Sequence, residues 1–290
     1  MDNNSSIRVL IESLQTSFGS TFSFEMIGCC RRGRQVPSIV AKVPGRVVLP
    51  VVYLEDLPDG VQDAATWVAQ RFKDILAPLP IKPYHKASKS GRESILGDVI
   101  LRAVSVEQSR RDPHFAHFSN AGIVGQFYLP EDENYLTEDS MCELGISLEE
   151  LRIAASQNTL ARFGIILADT SVFSDDLPHG TVLQSAPFDR VSFHHDDLYL
   201  LTSEATQGGA ALMLIPQVMG ALGNLISGDY YVVPMNTNGV LVASKKGGFS
   251  PLVLKKMLAA ENQKNVDGNI LSNYIYQYDR ETNRLKILQI

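Results

Sequence analysis

The chain has 290 residues, 44% hydrophobic and 20% charged, with 26 basic against 32 acidic side chains and a net charge of −6. Disordered chains are depleted in apolar residues, so this composition excludes disorder as a whole, and the charge gives no global attraction to nucleic acid or anionic lipid. The length permits one large domain or two modest ones. Met1 to Ser6 shows no basic stretch followed by an apolar run, so no signal peptide is read. Ile7, Leu10, Ile11, Leu14 and Phe18 then recur at helical spacing after Ser6, a potential cap. Phe22, Phe24 and Met26 alternate with polar residues as in a half-buried strand. After a basic turn at residues 31–34, a β-branched run predicts a strand over 47–54, with Pro50 placing it at an edge or a bulge. Val61, Ala65, Val68, Phe72 and Ile75 mark one face of a helix.

Pro78, Pro80, Pro83 and the polar residues to Arg92 form a punctuated connection that reads equally as a domain linker or a long surface loop. Residues 95–104 are ambiguous between helix and strand, and 123–129 read as a strand. Ser147 and Glu150 form a capping box that opens a helix to about Phe163. Strands are predicted over 198–202, 230–234 and 240–244, the last two about a polar turn at 235–239. Residues 209–226 read as a buried helix, because Pro216, Gln217 and Asn224 interrupt what would otherwise suit a membrane span. Ser250-Pro251 opens another helix, with Pro at its first position. Residues 274–278 and 285–290 close the chain as a hairpin. Helices and strands mix without βαβ alternation, so the expected class is α+β with mainly antiparallel sheet. The expected organisation is an N-terminal segment 1–80, a connection 81–92 and a main region 93–290, the whole also readable as one continuous domain.

Several of these stretches occur in a shared order: Leu49-Pro50-Val51-Val52-Tyr53-Leu54-Glu55-Asp56, Asp112-Pro113-His114, Glu149-Glu150-Leu151 leading to Gln157-Asn158-Thr159, Asp229-Tyr230-Tyr231-Val232-Val233-Pro234, and Asn273-Tyr274-Ile275-Tyr276-Gln277-Tyr278-Asp279. Together they resemble an uncharacterised bacterial family, domain of unknown function 5688, from about residue 45 to the C-terminus. The resemblance implies a bacterial, cytoplasmic protein and no particular reaction. The chain departs from that family's pattern at Met235-Asn236-Thr237-Asn238-Gly239, where relatives tend to carry Ser-Ser-x-His-Glu, and at Asn120-Ala121, where they tend to carry Asp-Leu.

Cys29, Cys30 and Cys142 are an odd set with two neighbours, which fits reduced thiols in a cytoplasm rather than a disulfide framework. Cys29 and Cys30 adjoin Arg31, Arg32 and Arg34; cations lower a thiol pKa, and with Lys42 and Arg46 the same guanidinium groups suit phosphates, while the plain reading is a solvated hairpin turn. His194-His195-Asp196-Asp197 is rich in metal-capable groups, yet neighbours on extended chain face opposite ways, so a polar loop is expected there and no metal. His114 and His117 read as surface histidines. Gly208-Gly209 opens the predicted 209–226 helix, whose free amides suit an anion, although close packing is the preferred use of these glycines. Asn158 and Thr159 sit late in a helix, either bonding a neighbouring loop or lining a pocket; with Gly208, Gly209, Asn236 and Asn238 they make up the candidate ligand set. No nucleophile, metal or P-loop motif occurs. The expected function is a non-enzymatic binding or regulatory protein for a protein or small ligand, with no cofactor, no membrane partner and nucleic acid disfavoured. The alternatives are a hydrolase or transferase assembled from distant residues, and a nucleic-acid-associated protein using residues 31–46.

Overall fold

Alternating and helical patterns segregate as read, and the fold is α+β with mainly antiparallel sheets. The computed structural model describes residues 3–42, 48–59, 63–76, 91–178, 181–203, 208–264 and 270–290. Arg46, Val47, Val61 and most of the predicted 81–92 connection lie outside the described residues. The chain divides into two units, Met1–Ala77 with Ile166–Ser192, and Pro78–Ile165 with Phe193–Ile290.

In the first unit, strands Ser23–Arg31 and Arg34–Lys42 form a hairpin with only Arg32 and Gly33 between them. Both turn residues have positive φ, 52° and 74°. That backbone twist matches the twist of the paired strands. Strand Val48–Tyr53 pairs antiparallel with Arg34–Lys42 through residues 51–53, and parallel with Val182–Gln184 through residues 48–50. Of the edge or bulge read from Pro50, the edge is corrected, since the strand has a neighbour on each side. Pro50 itself lies opposite Gln184, in the half that has left the antiparallel ladder, so its missing N–H costs that ladder no bond.

Helices Asn3–Phe18 and Ala64–Leu76 cover one sheet face, burying Leu14, Phe24, Ile39, Val52 and Phe72 together. Val40, Val51 and Tyr53 turn to the opposite face, beside Cys29, Val172 and Leu183. Burial on both faces accounts for the near-continuous β-branched runs. The first helix begins at Asn3, so Ser6 is a helical residue and not its cap. Met26, predicted inward with Phe24, is 36% exposed and has no place in the helix-covered cluster.

In the second unit, the ambiguous residues 95–104 divide between helix Arg92–Asp98 and strand Ile100–Ser105. That strand pairs with Ile123–Leu129, which also pairs with His117–Asn120 and Asn134–Tyr135. Helix Leu148–Phe163 opens with the predicted capping box: Ser147 Oγ accepts from the Glu150 amide, and Glu150 Oε2 accepts from the Ser147 amide. A second sheet runs in the order Arg284–Ile287, Tyr276–Asp279, Tyr230–Asn236, Gly239–Ser244, Leu198–Thr202. Helix Pro251–Lys264 packs Leu254 and Leu258 against Tyr231, Val233 and Leu241 on one face. On the other, the Tyr230 hydroxyl donates to the Met219 carbonyl at 2.8 Å.

The single helix predicted over 209–226 is corrected to a 3-10 segment Gly209–Leu214 and an α-helix Pro216–Ile226. Pro216 causes the break: it lacks an N–H and disfavours helical geometry at the residue before it, and Ile215 is extended at φ −95°, ψ 108°. Among the described residues no helix is long and apolar enough to cross a membrane.

Candidate functional site

Asn158 and Thr159 sit side by side on helix Leu148–Phe163 and both bind backbone. Asn158 Nδ2 donates to the carbonyls of Leu96 (3.0 Å) and Val99 (2.9 Å), which occupies both amide hydrogens. Thr159, 2% exposed, accepts the Leu101 amide at 2.8 Å. Of the two roles read for this pair, the geometry is that of bonding a neighbouring segment: it fastens the passage from helix Arg92–Asp98 into strand Ile100–Ser105.

Gly209, Asn236 and Asn238 do come together, through backbone. A Cβ on Gly209 would stand 2.2 Å from the Asn238 carbonyl oxygen and 2.7 Å from Thr202 Oγ1. Thr202 Oγ1 donates to the same carbonyl at 2.7 Å, and the Ala210 amide donates to the Thr237 carbonyl. Only glycine lets the hairpin tip approach this closely. The helix N-terminus read at Gly208-Gly209 is a six-residue 3-10 segment, with Gly208 at φ 72°. The polar turn reverses the chain without positive φ at any of residues 235–239. Instead Met235 is an extra residue between the Pro234–Val240 and Asn236–Gly239 pairs, and Asn236 Oδ1 accepts the Asn238 amide at 2.8 Å. A bulge and a side-chain bond thus accomplish the reversal.

Two cations of the basic hairpin region, Arg31 and Lys42, are engaged by carboxylates. Arg31 stacks over Tyr53, 4.3 Å from the ring centre, and donates to Glu55 (2.8 Å) and Asp56 (3.0 Å). Lys42 pairs with Glu25, Arg32 is the first turn residue, and Arg34 opens the second strand opposite Arg31. The reading of an activated thiol is corrected at Cys29: it points into the core, where burial raises its pKa. Cys142 is exposed on the short helix Glu138–Glu143.

Residues 194–197 form the expected polar loop, as a turn rather than extended chain, with the Asp197 amide donating to the His194 carbonyl at 3.2 Å. His195 Nδ1 meets Ser244 Oγ at 2.7 Å, the His194 amide donates to the Tyr199 hydroxyl, and Asp196 Oδ1 accepts the Gly248 amide. The His195–Ser244 pair has the elements of a base and a nucleophile. However, Ser244 is 0% exposed and its oxygen also accepts the Lys246 amide, so the pair closes a loop. Among the described residues no three His, Cys, Asp or Glu side chains gather as a metal site.

Sequence reasoning passed over an aromatic ladder in the second unit. The Arg102 guanidinium lies 3.6 Å from the Tyr128 ring centre. Tyr128 meets Tyr135 edge-on at 5.1 Å, Tyr135 stacks on Phe115 at 5.0 Å, and Phe115 meets His114 at 4.4 Å. Strand register builds it: Tyr128 is directly opposite Tyr135, and Phe115 bridges Thr137. His114 is exposed and the three larger rings are half-buried. Along the chain, residues 112–151 hold nine carboxylates and no Lys or Arg, while Arg102 and Arg162 reach in from outside that run, Arg162 pairing with Glu131 at 3.7 Å. Glu131, Asp132 and Glu133 are exposed in the turn between Tyr128 and Tyr135, with Glu138 and Asp139 just beyond. That charge run was the available signal; the pairing that aligns the rings is set by a two-residue strand no periodicity reveals.

A family model described as a family of unknown function, DUF5688, matches residues 8–280. The chain belongs to this family. No curated protein and no solved structure matches it. The two stretches set apart from the DUF5688 pattern both fall at hairpin turns, Asn236–Gly239 and Asn120–Ile123. In the second of these Ala121 and Gly122 have φ 50° and 80°.

Proposed function

We propose that this DUF5688 protein is a non-enzymatic binding protein of the bacterial cytoplasm whose contact surface is the ladder Phe115–Tyr135–Tyr128. The half-buried stack carries this reading. Aromatic rings present large, rigid contact area at low entropic cost and are enriched in interface cores. The polar candidates Asn158, Thr159 and Asn236 are engaged with the protein's own backbone, which supports the same view. The family resemblance and three cysteines with no pairing among them support the compartment. The test is an array of short synthetic peptides spanning acidic, basic and apolar classes, probed with wild-type protein and with Phe115→Ala/Tyr135→Ala. Selective binding that disappears in the variant is expected. No selective binding, or binding unaltered in a folded variant, overturns the reading.

A further inference from the structure

We propose that the occupant of this aromatic face is a cationic, arginine-bearing peptide segment; the inference rests on the binding reading above and names its partner class. Three observations converge. The stack already holds one guanidinium, Arg102, flat against Tyr128, so the face suits that group's shape. Its distal rings, Tyr135 and Phe115, continue the stack toward exposed His114. The stretch that carries Phe115, Tyr128 and Tyr135 holds nine carboxylates and no Lys or Arg from residue 112 to residue 151, although the whole chain is only −6. A guanidinium reaching Phe115 or Tyr135 gains an aromatic ring to pack on, and Asp132, Glu133 and Asp139, exposed on the same stretch of chain, supply carboxylate oxygens for it. An acidic segment would meet repulsion from the more numerous carboxylates, and an apolar one would leave them without a counterpart. Lysine, a compact and strongly hydrated charge, stacks less well than arginine, so the face discriminates between the two cations.

The test uses the full chain and fluorescein-labelled nona-arginine, nona-lysine and nona-glutamate peptides, followed by anisotropy at low and physiological salt. Nona-arginine is expected to bind tighter than nona-lysine, and nona-glutamate not to bind. Phe115→Ala/Tyr135→Ala leaves the net charge unchanged and should weaken nona-arginine roughly tenfold while barely altering nona-lysine. Asp132→Asn/Glu133→Gln, confined to an exposed turn, should reduce the salt dependence for both cationic peptides. Equal affinity for the two, undiminished in the aromatic variant, would show net-charge attraction only and overturn the proposal. Absence of nona-arginine binding overturns it too. If the peptide array still shows acidic or apolar ligands that depend on Phe115 and Tyr135, the partner class fails while the binding reading stands.

Discussion

Thr159 and Leu101 meet through a buried hydrogen bond in which the hydroxyl accepts a strand amide at 2.8 Å. Thr159→Val keeps the volume and removes the acceptor, leaving that amide without its partner. A cost of about 1–3 kcal/mol is expected in urea unfolding. Asn158→Ala should be similarly harmful, and the double variant less than additive because both act on the same connection. A loss below a few tenths of a kcal/mol for Thr159→Val would show that water or another group satisfies the amide.

Neighbouring glycines predict different penalties. Gly208→Ala meets no atom within 4 Å but keeps φ at 72°, which costs an L residue about 1–2 kcal/mol. Gly209→Ala must displace the Asn238 carbonyl, so it should lose more, about 3 kcal/mol at the upper end of overpacking. Thermal unfolding of the two variants side by side checks the order, and a reversed order would contradict the close approach.

At the hairpin tip, Asn236→Ala removes the acceptor for the Asn238 amide and should cost about 1 kcal/mol. Asn236→Asp keeps the acceptor and should restore most of the loss. Asn238, whose side chain is exposed, should tolerate Ala with almost no effect. Equal losses at both positions would place the stabilising contact elsewhere.

Asp279 gives a pH dependence of defined sign. Hydrogen bonds from the Lys286 ammonium and the Thr282 amide hold its carboxyl well below the usual carboxylate range. The unfolded chain therefore takes up the proton first as pH falls. The stabilisation is fully present above an unfolded pKa of about 3.9 and fades below it. Urea midpoints of wild type and Asp279→Asn should differ near neutrality and converge in acid. A gap unchanged down to strong acid would mean that the charge is irrelevant.

Thiol reactivity should follow burial. Iodoacetamide is expected to modify exposed Cys142 first, and Cys29, whose thiol burial pushes up, only on unfolding. Three labelled cysteines should appear after denaturation without reductant. Rapid native labelling of Cys29 would restore the idea that the adjacent guanidinium groups activate it.

Local chemistry was the legible part of the sequence. The Ser147–Glu150 box, the proline-led helix Pro251–Lys264 and the closing hairpin Tyr276–Ile287 follow from residues near one another in the chain. What escaped depends on partners far away in sequence. Pro50 read as a mark of an edge or a bulge because nothing local announces that Val182–Gln184 will return beside it. The polar residues 235–239 mark a turn, but its bulged register depends on the pairing of the two strands. Among the candidate ligand residues, Gly209 and Asn238 approach each other through backbone, a contact between segments that no local pattern announces. The aromatic ladder is spread over four short segments, so no single window contains its pattern.

The return of residues 166–192 to the first unit bears on how the chain is made. At roughly 5–20 residues per second, a ribosome delivers that segment on the order of ten seconds after residue 77. Until then the sheet side that will meet Val172 and Leu183 exposes Val40, Val51 and Tyr53, and strand Val48–Tyr53 has an open edge. Apolar β-rich segments with unpaired edges are aggregation-prone in that interval. Nascent chains stalled before residue 192 should therefore depend on chaperone protection far more than the finished protein does.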